Sequence, residues 1–193
     1  MEKSNGKKIN TAVFISGRGS NLRSLIKHYT KKKSPISIKL VVSNNSKAKG
    51  LIYAKKAKIK LHVENFNKIN VMEKKMLKIL SYNQINLICL AGFMKILSKK
   101  FIKNFNKPIL NIHPSLLPKY KGLNTHSRVI KNKEKYSGAT VHLVSSKLDS
   151  GKIILQQKIK ISKYESEKTL QKKILKIEHK LYPKAIKKFL INL

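Results

Sequence analysis

Hydrophobic and polar positions change period several times along the chain, and each change marks an element. Thr11–Ser16 is a compact apolar run ending in a small polar residue, which predicts a buried strand. A Gly-Arg-Gly-Ser turn follows it, then a helix from about Asn21 to Lys31. Ile36–Ser43 is rich in β-branched residues and predicts a second strand. Lys47–Ile59 reads as a helix and Leu61–Val63 as a short strand. Val71, Met72, Met76, Leu77 and Leu80 recur at helical spacing, so Val71–Leu80 is a helix with one apolar stripe. Ile85–Ala91 and Pro108–Ile112 are further strands on either side of a short helix near Ser98–Phe105. A Pro-rich loop leads to two longer strands, Ala139–Ser145 and Lys152–Ile161. A helix over Lys168–Leu190 closes the pattern, with Pro183 expected to kink or split it.

Strands alternating with helices over the first 112 residues predict an α/β fold. Its sheet is parallel, with helices on both faces. In such a sheet, ligands bind beyond the carboxyl ends of the strands. No internal repeat and no Pro/Gly/Ser linker interrupts the pattern, so residues 1–193 are expected to form a single domain. No apolar run approaches the ~18–20 residues that a bilayer span requires. Ala12–Ile15 is also too short for a secretory core, and a cytoplasmic location is the expectation.

Charge alters this picture less than its size suggests. Lys and Arg number 44 against 8 Asp and Glu, a formal net charge of +36. Such a balance can signal a polyanion partner. Only Arg18, Arg23 and Arg128 are arginines, however, and the lysines run from Lys3 to Lys188 without gathering in one segment. Base and phosphate recognition favours the planar guanidinium fork. Lys, Ile and Asn, all with A/T-rich codons, are abundant together, and the charge is read as compositional drift rather than as a nucleic-acid function. The lone Cys89 excludes an internal disulfide and any multi-cysteine metal site; within Leu87–Leu90 it reads as a small buried residue.

Three segments at strand ends carry candidate chemistry. Ser16-Gly17-Arg18-Gly19-Ser20-Asn21-Leu22 opens a helix directly after the first strand, and its free N–H groups suit a phosphate, although an ordinary tight turn would look the same. It is neither a P-loop nor a full dinucleotide fingerprint, since no Gly-Lys-Ser/Thr follows and Leu22 takes the last glycine position. In Leu110-Asn111-Ile112-His113-Pro114-Ser115-Leu116-Leu117-Pro118, Asn111 and His113 are two apart in a strand and point to one side. A carboxamide donor and an imidazole placed there could stabilise an oxyanion and move a proton, as acyl transfer requires; a capped strand end is the plain alternative. Asp149, in Leu148-Asp149-Ser150-Gly151, is the only aspartate of the chain. It is either a turn residue or the acidic partner of a histidine. His28, His62, His126, His142 and His179 read as structural or surface residues, without zinc spacing.

Taken together, the strings ISGRGSNL (Ile15–Leu22), LAGFMKIL (Leu90–Leu97), LNIHPSLLPKY (Leu110–Tyr120), GATVHL (Gly138–Leu143) and LDSGKIILQ (Leu148–Gln156) resemble the phosphoribosylglycinamide formyltransferase family. Glu178-His179 and Tyr182-Pro183 fit as well, and the match runs in order over nearly the whole chain. The resemblance implies a Rossmann-like formyltransferase fold, with a mostly parallel central sheet and an antiparallel extension near the C-terminus. It implies 10-formyltetrahydrofolate as co-substrate and no metal. The glycinamide amine would attack the formyl carbon directly, through a tetrahedral intermediate. Asn111 would donate to the oxyanion, His113 as imidazolium would stabilise it and supply a proton, and Asp149 would keep His113 protonated. Gly19, Ser20 and Asn21 would hold the ribose phosphate and Glu178 the ribose hydroxyls. Met94, Lys95, Ile96 and Leu97, with Asn111, would line the folate site. A homodimer is compatible with this family.

Two positions depart from the family. Lys95 stands where an Arg is frequent, so a forked contact becomes a point charge, and an Arg expected near the folate falls on Ile69, beside Lys68. Among rivals, methionyl-tRNA formyltransferase shares the Asn-x-His and Asp elements. It is expected to carry a further C-terminal domain of about a hundred residues and lacks the proline that follows His113. Formyltetrahydrofolate hydrolase is expected to carry an extra N-terminal domain. A basic nucleic-acid-binding domain would need interleaved aromatics or an Arg-rich face, which the sequence does not offer.

Overall fold

The structure, a computed structural model, describes residues 8–30, 34–65 and 69–192. The chain forms two compact units, one running to Lys95 and adding Lys103–Pro108, the other made of Ile96–Ile102 and the chain from Ile109 on.

In the first unit, four parallel strands lie in the order β3-β2-β1-β4: β1 (Ile9–Ile15), β2 (Ile36–Ser43), β3 (Lys60–Val63) and β4 (Leu87–Leu90). β1 has a partner on each side, β2 along its whole length and β4 along Thr11–Phe14. Ala12, Val13, Phe14 and Ile15 are fully buried in succession, as expected for a strand covered on both faces. Cys89, opposite Val13, is buried in the same layer. Helix α1 (Ser20–Tyr29) connects β1 to β2 and packs on β2. Helix α2 covers only Leu51–Lys56, shorter than expected. Asn45 explains the difference: its side chain and carbonyl accept from Lys47 and Ala48 N–H, drawing this stretch into turns. Helix α3 (Ile69–Tyr82) buries Met72, Met76 and Leu80 of the predicted stripe, whereas Leu77 is half-buried and Val71, in the first turn, is exposed.

Helix α4 (Lys99–Phe105) precedes the second unit's strands, β5 (Ile109–His113), β6 (Tyr136–Leu143) and β7 (Ile153–Lys160). β6 runs antiparallel to both β5 and β7. With the parallel strands of the first unit, these give the chain its mostly parallel, Rossmann-like α/β character with a C-terminal antiparallel extension. Helix α5 (Thr125–Lys131) lies between β5 and β6, where the sequence pattern predicts a loop. Helix α6 runs unbroken over Glu167–Ile191, so Pro183 does not split it. A mid-helix proline costs ~3 kcal/mol, and packing offsets that cost. Leu181, Tyr182, Ala185 and Ile186 are buried around it, and each large apolar side chain so buried is worth ~1.5–3 kcal/mol. The Tyr182 hydroxyl donates to the Leu110 carbonyl at 2.9 Å, joining the helix to β5 just before Asn111. A capping box of Ser166 and Thr169 starts α6. Among the described residues, no helix is long and apolar enough to cross a membrane.

Candidate active site

The antiparallel register of β5 and β6 assembles the centre of the site. Asn111 pairs with His142 and His113 with Thr140. Alternation along β5 therefore puts Asn111 and His113 on one side, opposite the same alternation on β6. Asp149 reaches them from the turn after β6, where its backbone adopts φ 45°. Gly151 closes that turn against the Leu143 carbonyl, leaving no room for a Cβ.

Four side chains meet here. His113 Nδ1 lies 3.4 Å from Asp149 Oδ2, with His113 only 5% exposed. Its Nε2 lies 2.8 Å from the Tyr120 carbonyl. A carbonyl can only accept, so Nε2 carries a hydrogen, and a second proton on Nδ1 would face the carboxylate. Asn111 Nδ2 sits 3.4 Å from Asp149 Oδ1 and 3.2 Å from His142 Nε2. His142 Nδ1 in turn donates to the Leu143 carbonyl at 2.8 Å, which leaves Nε2 as the acceptor for Asn111. The Gly122 N–H donates to Asp149 Oδ2 at 2.8 Å.

Electrostatics follow from this packing. Burial is the largest influence on His113 and holds its pKa below the ordinary histidine value. The Tyr120 carbonyl and Asp149 pull it upward, while His142 and Arg128 push it further down. Asp149 thus acts in the direction the resemblance implies without overcoming desolvation. For Asp149 itself, burial is again the largest single influence and raises the pKa. Together the close approach of His142, the Gly122 N–H and the neighbouring His113 outweigh it, and the carboxyl lies below its usual range.

The sequence reading set His142 aside as structural or surface; it is instead buried and touches both Asn111 and Asp149. Only the register could have revealed it, because two strands of unknown pairing do not say which residues face each other. Thr140 was missed for the same reason. Its hydroxyl donates to the Ser115 carbonyl and accepts from the Leu117 N–H, with Gln156 bridging to the Leu117 carbonyl, so the His-Pro-Ser-Leu-Leu-Pro exit is pinned to β6 and β7.

The phosphate candidate sits in the first unit. Gly19 has φ 69° and precedes α1 with no side-chain cap and no acidic residue in the first turn, which leaves N–H groups and a positive dipole end for an anion. A Cβ on Gly19 would stand 2.5 Å from the Gly50 Cα, so the turn closes only because both residues are glycine. Ser16 ties this turn to the folate candidates: its N–H donates to the Gly92 carbonyl, and its hydroxyl accepts from the Met94 N–H at 2.7 Å and donates to Asn44. Asn21 is buried and Ser20 half-buried. Met94 and Ile96 are 64% and 67% exposed apolar side chains, Lys95 is exposed, and Leu97 is buried and offers little side-chain surface. Glu178 is buried on α6. The side chain of Ile69, and Lys68, fall outside the described residues.

A family model described as formyl transferase matches residues 9–186. The chain belongs to this formyl transferase family. It is 42% identical over 181 residues to phosphoribosylglycinamide formyltransferase of Haemophilus influenzae, covering 92% of this chain and 85% of that protein. It is 38% identical to the trifunctional purine biosynthetic protein adenosine-3 of Homo sapiens over 93% of this chain, which spans only 18% of that larger protein's length. Among solved structures, phosphoribosylglycinamide formyltransferase from Brucella melitensis superposes with a TM-score of 0.89 at 39% identity, covering 95% of this chain and 96% of that one. Against this formyl transferase background, the cluster of Asn111, His113, His142 and Asp149 is a set of groups suited to acyl transfer: a donor, a titratable ring and a carboxylate that orients both.

Proposed function

We propose that this chain transfers the formyl group from 10-formyltetrahydrofolate to the amine of 5-phosphoribosylglycinamide, a step of purine biosynthesis, and that both units serve this one formyltransferase domain. The observation that carries the reading is the carboxamide–imidazole–carboxylate cluster of Asn111, His113 and Asp149 in a chain whose full-length bacterial relatives bear that activity. The phosphate is assigned to Gly19, Ser20 and Asn21, and the ribose hydroxyls to Glu178. The folate is assigned to Met94, Lys95, Ile96 and Leu97 together with Asn111.

The formyl folate supplies an acyl carbon open to attack by the amine, and the residues act on the charge that develops. Asn111 holds one amide hydrogen on His142; the other, in a long contact with Asp149, is the one available to the oxyanion of the tetrahedral intermediate. Burial disfavours the imidazolium of His113 in the free protein. A negative oxygen beside it favours the imidazolium, so the ring stabilises that charge once it appears. The attacking amine loses one proton and the departing folate nitrogen gains one, with His113 as the relay and Asp149 as its counter-charge. No step requires a metal. The partners are these two small molecules; the cytoplasm is the assigned location, and self-association as a homodimer is compatible with the reading.

The test is to mix protein with 10-formyltetrahydrofolate and the ribonucleotide, following absorbance of the deformylated folate, with Asp149→Asn and His113→Ala alongside. Turnover that needs the ribonucleotide and collapses in both variants is expected. Folate release without the ribonucleotide would identify a hydrolase, and turnover only with methionyl-tRNA would identify the tRNA-directed relative.

A further inference from the structure

The loop joining β5 to α5 holds an unusual backbone. Tyr120, Gly122 and Asn124 all have positive φ, at 57°, 76° and 54°, and two of the three are not glycine. Such conformations persist only where the surroundings over-determine them. This loop also supplies the main-chain contacts of His113 and Asp149: the Tyr120 carbonyl accepts from His113 Nε2, and the Gly122 N–H donates to Asp149 Oδ2, each at 2.8 Å. Whatever fixes residues 120–124 therefore fixes the imidazole and the carboxylate together.

The Ser115 hydroxyl reaches the Tyr120 carbonyl itself, at 3.3 Å, and Arg128 holds the peptides that follow it. One guanidinium nitrogen, Nη1, donates to the Lys121 carbonyl at 2.7 Å and, more weakly, to the Leu123 carbonyl at 3.4 Å, the two peptides between the positive-φ residues. The guanidinium also stands over the Tyr120 ring, 5.3 Å from its centroid. The Tyr120 hydroxyl is anchored in turn by Glu134 at 2.8 Å and Asn132 at 3.0 Å. The rigid guanidinium plane sets Nη1 against the carbonyls and its face over the ring together, an arrangement that an ammonium on a flexible stem does not pre-organise. The composition adds an independent observation. In a chain with 44 cationic residues of which only three are arginine, a lysine would be the ordinary cation at this position.

We propose that Arg128 is a positioning residue for formyl transfer, clamping the 120–124 loop so that its backbone sets the orientation of both His113 and Asp149. This rests on the formyltransferase reading for its kinetic consequence, but not for its structural one.

Arg128→Lys is the informative variant, because it keeps the charge that His113 feels and removes the rigid guanidinium plane that joins the carbonyl contacts to the ring. The groups facing His113 are Asp149, His142, His126, Arg128 and the Tyr120 carbonyl. With the Lys121 and Leu123 peptides released, the Tyr120 carbonyl keeps Ser115 but is less firmly set against His113, so an upward influence weakens and the titration moves to lower pH. In NMR titrations of the imidazole resonances, with His113 assigned by its Ala variant, the His113 midpoint is expected to fall in Arg128→Lys, with the melting temperature nearly retained. In the transfer assay kcat is expected to fall about tenfold, with KM for the ribonucleotide little changed and the basic limb of the pH profile displaced toward acid. An unchanged His113 titration in a folded Arg128→Lys protein would overturn the proposal, as would a lower melting temperature with an unaltered titration. If the unmodified protein transfers no formyl group while the titration still moves, the reaction assignment fails and the clamp stands.

Discussion

Asn111 and His142 face each other across β5 and β6, with the amide nitrogen 3.2 Å from the imidazole Nε2. Since His142 Nδ1 is committed to the Leu143 carbonyl, Nε2 fixes which end of the carboxamide points into the site. Replacing His142 by Phe keeps a ring but removes the acceptor, leaving Asn111 free to rotate. The half-buried amide then keeps only its long contact with Asp149, and kcat should fall by about tenfold or more with a smaller change in KM. Steady-state kinetics with the ribonucleotide varied would check this; an unaltered kcat would remove His142 from the site's machinery.

Asp149 raises the pKa of His113 against the effect of burial. In Asp149→Asn that support is gone, so the imidazolium is lost at lower pH. The basic limb of kcat/KM should move toward acid, and the rate should drop by about 10²–10⁴. A pH–rate profile that keeps its basic limb would show that the limb belongs to another group.

Acid stability has a sign that follows from burial. His113 and His126 both titrate below the ordinary histidine value because desolvation disfavours their charged forms. As pH falls through about 6.5, the unfolded chain takes up protons that the folded one refuses, so stability is full above that pH and declines below it. Asp149, held below its usual range, adds a second loss only below about pH 4. Melting temperatures between pH 8 and 5 should therefore decrease, and His126→Asn should flatten that decrease.

The net charge of +36 implies strong self-repulsion in the compact state. Along α6, Lys168, Lys172, Lys176, Lys180, Lys184 and Lys188 repeat every fourth residue, all exposed. Like charges at this spacing each cost ~0.2–0.5 kcal/mol. Phosphate should raise the melting temperature more than sodium chloride of equal ionic strength. A melting temperature insensitive to both salts would mean that the repulsion is already relieved within the fold.

How much of this could be read from sequence depended on the distance over which each signal acts. β2 is found at its expected bounds, Ile36–Ser43, because a β-branched run between turns is a local pattern. The side-by-side placement of Asn111 and His113 was equally legible, since period-two alternation belongs to one strand. α5 escaped because seven residues with only Val129 and Thr125 buried leave almost no periodic stripe. His142 escaped because cross-strand register is a non-local quantity. α6 passed through Pro183 because its packing against β5, β6 and β7 outweighed a local helix-breaking preference.

The contact between Gly19 and Gly50 has a consequence for how this protein can change. A Cβ at either position collides with the other's backbone, at 2.5 and 2.7 Å, so neither residue can accept a side chain while its counterpart stays in place. Gly50 looks, in sequence, like an unremarkable residue before a short helix. In a mutational scan it should behave as a member of the glycine turn, and a substitution at one site should leave little further to lose at the other. Evolution of the glycine turn proposed to hold the phosphate is thus constrained from a loop that need never touch the anion.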